Sequence, residues 1–276
     1  MRVVAVFSGG GAKAMAAAGA WRALEEAGLT PSHIVGTSMG AVFGAAFAAG
    51  LTHRAVANVA LGLRRSDFAS VDPLAIIAGS FASSFLSEQS LRDVIARMVP
   101  ARWFSDLRLP LTVTVTDLDS GELVLLGACG KEDVPLLDAL YATCALPVWY
   151  PPATIGARRY GDGGLRAVLP LDVALRLQPD LVVAVHVGPG FDETRPTSRP
   201  PALPPLLRAH GEALRIAMAA NAEQSVAAWP VDGPRLVLVR PVAEREATFA
   251  IERAQQFLDA GYAATKAALD PLRQHL

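Results

Sequence analysis

Cysteine occurs only twice in the 276 residues, as Cys129 and Cys144. Two thiols cannot build a disulfide framework, and neither lies in a CxxC or Cys/His spacing, so a zinc module is excluded and both read as small apolar fillers. Aromatic residues are also scarce, at 7%. The 52% hydrophobic content is carried largely by Ala, Val and Leu, side chains that suit close packing of helix on sheet. A surplus of one charge is missing as well, with 25 Lys plus Arg against 26 Asp plus Glu. No long-range field therefore gathers nucleic acid or an anionic membrane, and any contact with lipid has to be local.

Long apolar runs are the last absence. No Asp, Glu, Lys or Arg stands between Glu26 and Arg54, but Pro31, Ser32, His33, Thr37 and Ser38 interrupt the stretch. A membrane-spanning helix needs about 20 successive apolar residues, so a buried strand, turn and helix explain it better. The N-terminus runs from Met1 through Val3–Phe7 straight into a glycine loop, without the apolar segment and cleavage site of a secretory signal. The expectation is a cytoplasmic protein, peripheral at a membrane surface at most.

What is present is a βαβα beginning: an apolar strand at Val3–Phe7, a glycine loop, a helix to Gly28, a strand at His33–Thr37 and a second helix to Gly50. Such alternation implies parallel strands with helices on both faces, and 276 residues suit a single domain spanning 1–276. In the first helix Arg22, Glu25 and Glu26 share one face, while Ala17, Ala20, Trp21 and Leu24 share the other. The second helix carries no charge on any face, so it must be buried on most sides. Further on, the pattern predicts a helix from Ser87 ended by Pro100, a hairpin of Leu111–Thr116 with Leu123–Leu126, and a helix reaching Leu146. It continues with a strand at Leu181–Val187, a Pro-rich surface loop at about 189–205, a helix at Leu206–Ala228, a strand at Leu236–Arg240 and a helix at Glu252–Leu269.

Chemistry enters at three places. Gly36-Thr37-Ser38-Met39-Gly40 is a G-x-S-x-G stretch between an apolar strand and an apolar helix, the context of a nucleophile elbow. Ser8-Gly9-Gly10-Gly11-Ala12 follows the first strand and opens a helix, so its N–H groups, with that of Met39, can converge on a developing oxyanion. Asp162-Gly163-Gly164 admits two readings, a hairpin turn or a carboxylate that serves Ser38 as base. Lys13 opposes the dipole of the helix it begins. It calls for a nearby carboxylate, an anionic head group or solvent.

Gly9-x-Gly11-x-x-Ala14 also satisfies the dinucleotide pattern, but that site wants an acidic residue about 20 positions on, where this chain has Val35-Gly36-Thr37-Ser38. NAD and FAD are not expected. A P-loop fails because Ala14, not Ser or Thr, follows Lys13.

Gly9-Gly10-Gly11-Ala12-Lys13, Gly36-Thr37-Ser38-Met39-Gly40 and Asp162-Gly163-Gly164, in that order, resemble the signature blocks of patatin-like phospholipases. The likeness extends through Thr116–Glu122 and Ala142–Pro147 and covers most of Met1 to about Val187. It implies a three-layer α/β/α sandwich with a mostly parallel central sheet and hydrolysis of lipid acyl esters without cofactor or metal. It further implies a dyad of Ser38 and Asp162, with Gly9, Gly10 and Gly11 as oxyanion loop. The chain departs from the family in having Lys13-Ala14 where Arg-Gly is commoner. A catalytically quiet lipid-binding or scaffold protein is the rival from another class. Residues 66–85, rich in Phe, Ile and Leu among small polar residues, are read either as a mobile cover over an acyl pocket or as an ordinary packed helix pair. Of the histidines after Asp162, His186 is expected inside a strand, His210 in a helix and His275 at the frayed end, so none is well placed for a triad.

Overall fold

The computed structural model describes residues 1–68, 84–194, 205–245 and 248–272. Its strands are β1 (Val3–Phe7), β2 (His33–Thr37), β3 (Leu111–Asp117), β4 (Leu123–Gly127), β5 (Ala153–Ile155), β6 (Arg158–Asp162), β7 (Leu181–Val185) and β8 (Arg235–Val239). They join in one sheet of order β5-β6-β3-β2-β1-β7-β8, with β4 also paired to β3. The five strands from β3 to β8 in that order run parallel, while β4 and β6 are antiparallel to β3 and β5 is antiparallel to β6. The expected hairpin is β3 and β4, with Thr116 opposite Leu123.

Helices cover both faces because side chains alternate across each strand. In β1, Val3, Ala5 and Phe7 point into the larger core and Val4 and Val6 into the smaller one. The larger core receives helices α1 (Ala16–Glu26) and α2 (Met39–Ala48), followed in the chain by α3 (His53–Gly62) and α4 (Arg65–Phe68). Trp21 of α1 stacks on Phe47 of α2 with ring centroids 4.4 Å apart. Next come α5 (Glu88–Met98), which buries Leu91, Val94, Ile95 and Met98, and α6 (Leu136–Cys144). The smaller core receives α7 (Leu171–Arg176), with Val226 of α8 (Pro205–Ala227) packed at its edge. Helix α9 (Ala254–Leu269) closes the larger face against α1.

Gly28 takes φ 70° just beyond α1, and the Leu29 N–H reaches back to Leu24 O at 3.0 Å, a helix stop that suits glycine. Helix α2 is buried along its whole length, as its lack of charge requires. Of the two readings of Asp162, the structure does not have the hairpin turn: Asp162 is the last residue of β6 and leads into a 3-10 turn at Gly163–Leu165, where a Cβ on Gly163 would sit 2.2 Å from Thr114 O. One expectation needs correction. Strand β7 ends at Val185, so His186 stands just past it. Most of the expected cover (69–83) and most of the Pro-rich loop (195–204) lie outside the described residues. Among the described residues no helix is long and apolar enough to cross a membrane.

Candidate active site

Strand order reverses at β1, which has β2 on one side and β7 on the other, and both chemical loops leave the carboxyl ends of β1 and β2. Open parallel sheets place their ligand crevice at such a point.

Ser38 links β2 to α2 with φ 51° and ψ −137°, a conformation that costs a side-chain-bearing residue energy and persists only when its surroundings impose it. The surroundings are close-packed. A Cβ on Gly36 would lie 2.5 Å from Ala41 Cα, and one on Gly40 2.4 Å from Ser8 O, so the flanking positions admit only hydrogen. The Ser38 N–H donates to Thr143 Oγ1 at 2.8 Å. The preceding Thr37 Oγ1 lies 2.7 Å from Thr114 Oγ1 and donates to Ala167 O at 2.8 Å, which ties the end of β2 to the turn after β6.

The Ser38 hydroxyl donates to Asp162 Oδ2 at 2.8 Å, and Asp162 Oδ1 accepts the Gly164 N–H at 2.7 Å. The aspartate backbone is equally tied, its N–H to Ala145 O at 3.0 Å and its C=O to the Thr116 hydroxyl at 2.9 Å. Asp162 is 3% exposed. Burial pushes its carboxyl up to about 6, opposed by the hydrogen bonds from Gly164 and Ser38. Burial likewise pushes the neighbouring Cys144 thiol well above its usual range, with the Asp162 charge adding and Ser38 opposing.

The glycines of the first loop divide their tasks. The Gly9 N–H is committed to Val168 O at 3.2 Å, so it is not a free oxyanion donor, contrary to the expectation from sequence. Its part is steric: a Cβ there would come within 3.2 Å of Ser38 Cβ. Among the described residues, the N–H groups of Gly10, Gly11 and Met39 have no hydrogen-bond acceptor. Gly11 adopts φ 58°, and the next N–H, of Ala12, is held by Thr248 O at 2.8 Å. Ser8 Oγ accepts the N–H groups of Val187 and Gly188 at 2.8 and 3.2 Å, fixing the loop from behind.

A family model of patatin-like phospholipases matches residues 5–175, a span that holds Ser38, Asp162 and the Gly9–Gly11 loop. The chain belongs to the patatin-like phospholipase family. It is 31% identical over 188 residues to an uncharacterized NTE family protein of Mycobacterium tuberculosis, covering 68% of this chain and 49% of that protein. It is 29% identical over 196 residues to patatin-like phospholipase domain-containing protein 7 of Rattus norvegicus, covering 70% of this chain and 14% of that one. The chain thus spans about half the length of the mycobacterial relative. Its fold is that of the crystal structure of VipD from Legionella pneumophila, with TM-score 0.53 and 15% identity over 98% of this chain and 67% of the other.

In this patatin-like chain Lys13 faces neither solvent nor an open anion site. Its ammonium is buried, 2.9 Å from Glu193 Oε1 and 2.9 Å from Glu244 O, so of the partners open to it the structure supplies the carboxylate. Burial lowers its pKa, and Glu193 opposes that shift. Around this pair Arg240 forks onto Asp192 at 2.6 and 2.7 Å, and Arg253 onto Glu244 at 2.7 and 2.8 Å. His186 is buried, its pKa pushed down to about 3 by that burial, and its Nδ1 has no partner among the described residues. His210 is exposed on α8, and His275 lies outside the described residues. Among those residues no cluster of three or more His, Cys, Asp or Glu is placed to hold a metal ion.

Sequence reading missed Glu193, Thr143 and the Ala145 carbonyl. Glu193 lies 180 residues from Lys13, and no local pattern relates the two. Thr143 and Ala145 stand inside the Ala142–Pro147 stretch, but nothing in their residue types says which backbone groups they meet.

Proposed function

We propose that this protein is a serine acyl hydrolase that cleaves carboxylic esters of lipids, with phospholipids and lysophospholipids as its substrate class. The observation that carries this reading is the 2.8 Å hydrogen bond from the Ser38 hydroxyl to a buried Asp162 carboxylate whose pKa of about 6 suits a base near neutral pH. Ser38 Oγ attacks the ester carbonyl carbon while its proton passes to Asp162. The tetrahedral oxyanion is received by the N–H groups of Gly10, Gly11 and Met39, each such donor being worth about 2.7–4 kcal/mol in acyl transfer. Collapse breaks the bond to the alcohol oxygen, which takes the proton from Asp162 and departs. Water then attacks acyl-Ser38, gives a proton to Asp162, and the carboxylic acid leaves as the proton returns to Ser38.

Incubation with a fluorophosphonate probe, followed by peptide mapping, tests the reading. Labelling at Ser38 is expected, together with loss of short p-nitrophenyl ester hydrolysis in a folded Ser38→Ala variant. An unlabelled Ser38, or unchanged hydrolysis in that variant, would overturn it in favour of a quiet lipid-binding or scaffold protein.

A further inference from the structure

Ser38 follows β2 and Asp162 ends β6, two strands that do not pair with each other but follow one another along one edge of β3, opposite β4: Thr37 stands opposite Thr114 and Asp162 opposite Val115. A fixed hydrogen bond between the ends of two separate strands needs both referred to a common body. The C-terminal end of α6 supplies one. Thr143 Oγ1 accepts the Ser38 N–H at 2.8 Å, and two residues later Ala145 O accepts the Asp162 N–H at 3.0 Å. Between them Cys144 is buried beside the dyad, close enough for its thiol to feel both Ser38 and the Asp162 charge. Three consecutive residues therefore touch both partners, and the two backbone bonds leave little freedom to change the separation of Ser38 and Asp162.

The Thr143 contact has a second effect. Ser38 is held at φ 51°, where a residue with a side chain is strained. At this position its N–H is met by a side-chain hydroxyl rather than by a backbone carbonyl of a helix or sheet. Thr143 is completely buried, and its hydroxyl meets the N–H without needing water. Losing that acceptor would leave a part-buried donor without its partner, and relaxation of the elbow toward an ordinary φ would relieve both the strain and the orphan.

The geometry points to Thr143 as a positioning residue for the nucleophile, acting with the Ala145 carbonyl as a clamp that holds Ser38 in its strained conformation and at bonding distance from Asp162. The role as stated rests on the hydrolase reading, but the clamp itself can be measured without it. Thr143→Val keeps the shape and removes the acceptor, while Thr143→Ser keeps the acceptor and removes a methyl group. Misplacing a reacting group by about 1 Å costs on the order of 100-fold, so Thr143→Val is expected to lower kcat and the fluorophosphonate labelling rate by about 10- to 100-fold with KM within about 2-fold, and Thr143→Ser to recover to within about 3-fold. Hydrogen exchange at the Ser38 amide should speed up in Thr143→Val and stay slow in Thr143→Ser. If Thr143→Val does not fold, Thr143→Ala against Thr143→Ser makes the same comparison. A valine or alanine variant that is labelled at the wild-type rate, or whose Ser38 amide stays as protected as in wild type, would overturn the clamp. Wild-type protein that resists the probe would overturn the hydrolase reading alone, with amide exchange still deciding the clamp.

Discussion

Thr116 of β3 donates its hydroxyl to the carbonyl of Asp162 at 2.9 Å, and by that bond the strand that pairs with both β2 and β6 holds the carboxylate-bearing residue in place. Thr112, Thr114 and Thr116 fall on one face of β3 because side chains alternate along a strand. They meet His33, Thr37 and Asp162 in turn, so β3 carries a row of buried hydroxyls to the end of β2, next to Ser38, and to Asp162.

Ester hydrolysis should depend on a single ionisation near pH 6. Only the ionised Asp162 can accept the Ser38 proton, and burial holds its pKa up at about 6. The expected profile of kcat/KM against pH therefore rises through that value and levels off above it. A profile flat between pH 5 and pH 8 would remove Asp162 from the role of base.

Asp162→Asn should lose at least about 100-fold in kcat, the lower range of general-base contributions, while gaining thermal stability at alkaline pH. The sign follows from linkage. The folded carboxyl titrates at about 6 and the ordinary one at 3.8, so between those values the folded protein holds the extra proton and its stability falls as pH rises. Above that window the buried charge carries its full penalty, which asparagine escapes. Thermal melts at pH 8 should place the variant at or above wild type, with the advantage gone near pH 4. A variant that melts well below wild type at pH 8 would contradict the account.

Lys13 and Glu193 should behave as a buried pair. The side chain of Glu193 is 2% exposed, and its other cation, Arg215, stands at 3.7 Å. Lys13→Ala would leave the carboxylate without its close partner, a change that typically costs about 3–5 kcal/mol. Replacing both residues with Met should recover most of that loss. Urea denaturation of the two single variants and the double variant measures the coupling, and additive losses would show that the pair is not a unit.

No histidine should be needed. His186→Ala and His210→Ala are each expected to retain most activity, since His186 is buried and neutral, with its pKa near 3, and His210 is exposed on α8. One folded histidine variant as inactive as Ser38→Ala would replace the dyad with a triad.

Local pattern was enough for the elements around the site. The strands at Val3–Phe7 and around His33–Thr37 were legible, and the uncharged stretch Met39–Ala49 as a helix buried on most sides, because apolar runs broken by glycine and proline leave few alternatives. The loops bearing Ser38 and Gly9–Gly11 followed from the same punctuation. Tertiary structure alone decided which groups meet. It committed the Gly9 N–H to Val168, left those of Gly10 and Gly11 without an acceptor among the described residues, chose the end of β6 over a hairpin turn for Asp162, and sent Lys13 to Glu193. It also brought the Thr143 hydroxyl to the Ser38 N–H. Each of these outcomes joins residues far apart in the chain, and each depends on strand order and on distances of a few tenths of an ångström. A sequence records which residues can donate, accept or bend; the packing of the sheet between its two helical layers selects their partners.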